Sequence, residues 1–188
     1  MTIAVSDSLT IMAGVEVRFA GHYTMTVYGD LQAIGTASAP IEFTSHFNNP
    51  QPGDWKGIYF YNSGIDDYLS YTNIHFAEYG VRIVAEDNTV APTIEHAFIE
   101  QSLYDGIKIV ANSFQEDTFA RPHVLSSTIS MNGANGIYIF GYGGSGRDDD
   151  GYAQPVIRNT LIRANQVHGI YLYGRLAVLH MHSDMQKG

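Results

Sequence analysis

Apolar residues along this chain recur at every second position, in short runs. Ile107 and Ile109, Ile137 and Ile139, and Ile170 and Leu172 each enclose one polar or aromatic residue. Leu9/Ile11, Val15/Val17/Phe19, Met25/Val27, Leu31/Ala33 and Ile41/Phe43 follow the same step. A period of two is that of a strand with one face buried and one exposed. Turn signals separate the runs: AG at 13–14, AGH at 20–22, YGD at 28–30 and GTASAP at 35–40. No stretch of useful length carries a helical period.

One phrase returns: KGIYFYN at 56–62, YGVRIV at 79–84, DGIKIV at 105–110, NGIYIFG at 135–141 and HGIYLYG at 168–174. Its glycines, Gly57, Gly80, Gly106, Gly136 and Gly169, lie 23, 26, 30 and 33 residues apart. Pro92, Pro122 and Pro155 each precede one of these glycines by 14. Between proline and glycine, Ile94/Ile99, Val124/Ile129 and Ile157/Ile162 stand five apart, as do Leu69/Ile74. The length variation therefore falls between the end of each GIxI run and the next proline. Equivalent residues recur in the same direction, and hairpin signals between paired runs are scarce. This predicts parallel coils stacked about 4.8 Å apart around a shared core rather than a sandwich or meander. The glycine is expected to turn the chain tightly into each strand, and the following Ile or Val to enter an inner apolar column.

The opening LTIMAGVEVRF…LQAIGTASAPIEFTS…GDWKGIYF, residues 9–60, resembles the first coils of right-handed parallel β-helix domains of bacterial and archaeal secreted or cell-surface proteins, a pectate-lyase-like superfold. The later proline-to-glycine units resemble their generic repeats. The resemblance implies an all-β solenoid of about seven to eight coils, with loop insertions at one corner. It covers roughly residues 8–174 of one expected domain, 1–188: N-terminal coils over 8–63, repeat coils over 64–174, and a tail or partial cap over 175–188. It also implies an extracellular or surface location. It transfers no catalytic residue, because this superfold carries lyases, hydrolases, adhesins and inert stalks.

Composition narrows the function. The 188 residues carry a net charge of −9 with no Lys/Arg block, which argues against nucleic acid and anionic membrane surfaces as partners. There is no cysteine, hence no disulfide framework or thiolate metal site. The start MTIAVSDS does not read as a signal peptide, and no apolar run has the length of a membrane span.

Stacked coils turn sequence columns into surface stripes. Tyr59, Arg82, Lys108, Tyr138 and Tyr171 form one outward column, and Tyr61, Val84, Val110, Phe140 and Tyr173 the next. Aromatic rings can stack on sugar CH faces, and Arg or Lys can hold a uronate or sulfate, so this face is a candidate glycan platform. The same tyrosines would equally support an exposed strand and its neighbours. The segments at the variable corner bring Glu86, Asp87, Glu116, Asp117, Asp148, Asp149 and Asp150 to one side. Clustered oxygen ligands suit Ca²⁺, although an acidic glycine-rich loop can simply be solvated. β-Helix lyases of pectate type pair Ca²⁺ with an Arg or Lys base; Lys108, Arg121 and Arg147 offer that chemistry here. No cofactor is otherwise required. His180, His182 and Asp184 share one side of an extended tail at the spacing of transition-metal ligands.

The column His75, Glu100, Ser130 and Arg163 has the residue types of a hydrolytic triad, but Ser130 would lie two rungs, roughly 10 Å, from His75. Nucleophile and base need about 3 Å. Trp55 is expected as a corner or core anchor. Unpaired strands at both ends of the stack predict self-association or a larger parent protein.

Three functions follow as expectations: a carbohydrate-binding or structural surface module, a Ca²⁺-assisted polyuronide lyase, and an inert spacer.

Overall fold

The computed structural model describes residues 1–114, 116–142, 150–174 and 177–182, with His182 described by its backbone alone. Among these residues every regular element is a strand. The first sheet runs Thr2–Ile3, Thr24–Val27, Gly57–Tyr61, Val81–Glu86, Ile107–Asn112, Ile137–Tyr142, Ile170–Tyr173. The second runs Ser8–Met12, Asp30–Ile34, Tyr68–Ser70, Thr93–Glu95, His123–Leu125, Val156–Arg158, His180–His182. The third runs Glu16–Phe19, Ile41–Ser45, Thr72–His75, Phe98–Glu100, Thr128–Ser130, Leu161–Arg163. Neighbouring strands within each sheet are parallel. The chain visits the three sheets in turn, completes six circuits among the described residues, and places the first two strands of a seventh.

The register is the one the repeat predicts. Ile107, Ile137 and Ile170 are direct neighbours, as are Ile109, Ile139 and Leu172. Ile94, Val124 and Ile157 form a column in the second sheet, and Ile74, Ile99, Ile129 and Ile162 one in the third. Ile162 and Ile170 are only partly buried and Leu172 is exposed, while the other ten side chains are buried in one continuous core. Each removes an apolar side chain from water, worth about 1.5–3 kcal/mol before entropy. Trp55 is 0% exposed and stacks on Phe19 at 4.0 Å, while its Nε1 donates to the His75 carbonyl at 2.8 Å.

Two local features differ from the sequence expectation. Gly80, Gly106 and Gly136 do not turn the chain through a left-handed conformation; they make room. A Cβ on Gly106 would lie 2.6 Å from Ile129 Cγ2 and 2.8 Å from the Gly136 carbonyl, and Gly80 and Gly136 are crowded in the same way. Within the column only Gly57, at φ +106°, uses glycine's conformational freedom. The sharp bends between the second and third sheets fall instead on Tyr71, His96, Ser126 and Asn159, all at φ between 48° and 51°. The second difference lies at the variable corner. The segments there are not only loops: Thr89–Val90, Thr118–Ala120 and Gly151–Ala153 pair as a small fourth parallel sheet.

Polar side chains stitch the circuits together inside the turns. Asn132, 0% exposed, accepts from the Ser102 amide at 3.0 Å and donates to Asn165 Oδ1 at 2.9 Å. The buried Asp105 accepts from both the amide and the side chain of Asn135, at 3.1 and 2.8 Å. These bonds satisfy amides that the bends remove from the sheets.

Candidate functional site

The outward columns of the first sheet assemble as the register requires. Tyr59 pairs with Arg82, Arg82 with Lys108, Lys108 with Tyr138, and Tyr138 with Tyr171. Side-chain geometry turns this row into a continuous ladder. The Arg82 guanidinium lies 4.6 Å from the Tyr59 ring centre and 5.3 Å from that of Tyr79. Lys108 Nζ lies 5.0 Å from the Tyr79 ring and 5.2 Å from that of Tyr138. Tyr138 then meets Tyr171 at 5.6 Å, and His168 stacks on Tyr171 at 5.3 Å.

Neither cation forms an ion pair among the described residues, and Arg82 Nε is shielded from solvent without a hydrogen-bond acceptor. The rings hold these cations through their π faces, which leaves the outward N–H donors for an anionic or polar ligand. Burial pushes the phenols of Tyr59, Tyr79 and Tyr138 above their ordinary value, so all three stay neutral hydroxyl donors.

The second row divides in two. Tyr61 donates its hydroxyl to Glu86, and that bond, aided by burial, pushes its phenol up to about 12. Tyr28 and Tyr59 meet Tyr61 edge-on at 5.7 and 5.5 Å. Val84 and Val110 follow, and then Phe140 stacks on Tyr173 at 5.5 Å and lies parallel to Tyr142 at 6.1 Å. Tyr173 and Tyr142 are about half exposed.

Tyr79, Tyr28, Tyr142 and His168 join the surface without having been foreseen from sequence. Tyr79 matters most, because it separates the two cations. It occupies the position before the repeat glycine, alongside Lys56, Asp105, Asn135 and His168 in the other units. Reading that position as a column of its own would have found it.

At the acidic corner several carboxylate oxygens accept from the chain's own donors. Asp87 Oδ1 accepts from the amides of Phe114 and Glu116, at 2.8 and 3.4 Å, in the following circuit. Asp117 Oδ1 accepts from the Asp150 amide at 2.9 Å, and Asp150 Oδ2 accepts from the Tyr152 hydroxyl at 3.2 Å. Glu86 takes the Tyr61 hydroxyl. Among the described residues no group of three or more His, Asp or Glu is arranged to hold a metal. Asp148, Asp149 and Arg147 lie outside the described residues, as does Asp184 of the proposed tail ligands; His180 pairs beside Val156 at the last strand of the second sheet. Arg121 belongs to the fourth-sheet corner, where its guanidinium covers Phe119 at 3.8 Å and its Nε donates to Gln154 at 3.0 Å.

On the third sheet, His75 stands between two carboxylates, 3.6 Å from Glu42 and 3.5 Å from Glu100. Ser130 donates to Glu100 at 3.3 Å, with no contact to the imidazole. The column thus forms a charge-linked strip across four strands, and the nucleophile–base contact of a triad is absent from it.

No protein-family model, no curated protein and no solved structure matches the chain.

Proposed function

We propose that the chain is a right-handed parallel β-helix that presents its first sheet as a binding face for an acidic carbohydrate. Handedness follows from the strong preference of parallel crossovers for the right-handed sense. The observation that carries the binding reading is the pair Arg82 and Lys108. Both are clasped between tyrosine rings and form no ion pair among the described residues, in a chain whose net charge is −9. Arginine and lysine needed only for solubility would be expected to find some of the many acids. A uronate or sulfate would supply the missing acceptors, while Tyr138 and Tyr171 would offer ring faces to adjoining sugars.

A protein that binds such polymers would meet them outside the cell, in keeping with the secreted or surface location implied by the resemblance. The lyase reading lacks comparable support, because Glu86, Asp87, Asp117 and Asp150 each give a carboxylate oxygen to an amide or hydroxyl of their own chain.

The test is titration calorimetry against uronate-containing and sulfated oligosaccharides, with neutral oligosaccharides of equal length as controls. Acidic ligands are expected to bind, and Arg82→Ala to weaken them about tenfold to a hundredfold. Tyr138→Ala together with Tyr171→Ala should weaken them further. Equal affinity for neutral and acidic ligands, or no binding of any of them, would reject the reading. Formation of unsaturated product, followed by ultraviolet absorbance, would replace it with a lyase.

A further inference from the structure

A hollow lies away from the ladder, at the bend between the second and third sheets. The third to sixth circuits cross this bend in one or two residues, led by Tyr71, His96, Ser126 and Asn159; the second circuit takes residues 35–40. That longer turn closes on itself, with Thr36 and Ala39 exchanging backbone hydrogen bonds of 3.1 Å each way. It is also pinned to the next circuit. The Gly35 amide donates to the Ser70 carbonyl at 2.8 Å, and the Ile41 amide to the Tyr71 carbonyl at 3.0 Å. A fixed wall therefore stands beside the low bends that follow, and a hollow of about 330 Å³ opens against it. Ligand clefts run from roughly 300 to 1,000 Å³, so this one suits a small ligand.

The lining is polar but carries no fixed charge. Among the described residues no Lys, Arg, Asp or Glu borders it, in a chain where these make up 15% of residues. Thr36, Tyr71 and Ser126 bring hydroxyls, which both donate and accept. Asn73 adds an amide, oriented by its bond to Glu42. The largest purely apolar side chain of the lining is Phe98, which is 52% exposed. The bends themselves carry a further sign. Left-handed backbone suits glycine or asparagine and disfavours bulky side chains. Asn159 meets that preference at φ 51°, yet Tyr71 and His96 hold the same conformation at 48° and 51°. Their rings stack at 4.5 Å, and both border the hollow. Bulky residues kept in such backbone gather at ligand sites, where the side chain counts for more than the turn.

From these features we infer that the hollow binds one residue of an uncharged sugar, with a CH face of its ring on Phe98 and its hydroxyls bonded to Tyr71, Asn73 and Ser126. A lining without fixed charge does not balance a carboxylate, sulfate, phosphate or ammonium group. A lining this polar would leave its own hydroxyls unpaired against a hydrocarbon. A sugar answers both conditions, because its hydroxyls donate and accept while its ring keeps an apolar face. The site shares no residue with the ladder of the first sheet. It stands or falls apart from the acidic-carbohydrate reading, and it selects for the opposite property, absence of charge.

Titration of the isotope-labelled chain, followed amide by amide in two-dimensional NMR, tests it. The probes are glucose, galactose, mannose and xylose, with glucuronate as the charged comparison and p-cresol as the aromatic one. At least one neutral sugar is expected to shift the amides of residues 36–39, 71–73, 96–98 and 126 saturably, leaving those of Arg82 and Lys108 in place. Phe98→Ser and Tyr71→Asn should each weaken that binding about tenfold. Phe98 is half exposed, and asparagine at 71 repeats what Asn159 does at its own bend, so both variants should keep the native spectrum elsewhere. Absence of shifts at the hollow with all four neutral sugars would overturn the proposal. So would equal shifts with glucuronate, shifts with p-cresol alone, or unchanged affinity in Phe98→Ser.

Discussion

Gly106 and Asp67 show how single positions set the limits of this structure. A methyl group at Gly106 would meet Ile129, Asn132 and the Gly136 carbonyl, at 2.6, 2.7 and 2.8 Å. Backbone on one side and a packed isoleucine on the other leave little to yield. Gly106→Ala should therefore cost about 1–3 kcal/mol, read as a lower urea midpoint with unchanged slope. Asp67 is 1% exposed; its Oδ1 accepts from the Leu31 amide at 2.8 Å, and its Oδ2 has no partner. Burial pushes this carboxyl up to about 6, against the pull of the Leu31 amide and the nearby Ser63 hydroxyl. The folded state thus binds the proton more tightly than the unfolded chain. The stabilisation is complete below pH 3.8, is lost as pH rises towards about 6, and stays lost above that. Asp67→Asn keeps an acceptor for Leu31 and removes the charge. It should match the native chain at pH 4 and exceed it by about 2 kcal/mol at pH 7.5, measured as urea midpoints at the two pH values.

At the scale of elements, the strands are short, and side chains at the bends carry much of the link between circuits. Asn132→Ala would remove the acceptor of the Ser102 amide and both of its own donations, to Ile99 and Asn165. An expected loss of about 2 kcal/mol should come with faster amide exchange at Ser102 and the adjoining strands. The strand periodicity, the parallel stacking and the ladder of Tyr59, Arg82, Lys108, Tyr138 and Tyr171 could all be read from sequence, because alternation and direct repetition fix which side chains share a face. Alternation alone does not reveal Tyr79; only the position before the repeat glycine, read as its own column, does. It sits outside the alternating run and reaches the ladder by a sideways packing that strand geometry does not encode. The amide partners of Asp87 and Asp117 were hidden for a similar reason. Sequence shows that carboxylates gather, and only the backbone path shows that the next circuit's amides point at them. The fourth sheet escaped notice because its two- and three-residue strands are too short to display a period.

For the molecule as a whole, each circuit touches mainly the one above and the one below, so stability accumulates along a single axis. The binding face has the same character. If the face binds an acidic polymer along that axis, longer ligands engage more rungs, and affinity should rise with chain length until it spans Tyr59 to Tyr171. Calorimetry with a graded series of uronate oligomers would read this. A plateau at the shortest length would instead confine binding to the Arg82 and Lys108 pair. Because that pair acts through charge, its share of the affinity should fall as salt is raised, while the part due to ring stacking persists.

The single-residue bends at Tyr71, His96, Ser126 and Asn159 carry an evolutionary corollary. Where one left-handed residue makes the turn, an inserted residue would strain it, whereas the first two circuits cross the same flank through residues 13–15 and 35–40 and keep Val17, Phe43 and Ile74 in one column. The opposite flank, where the intervals lengthen from 23 to 33 residues, is free to vary. Natural variation and laboratory grafting should both concentrate on that permissive side, leaving the rest of the scaffold unaltered.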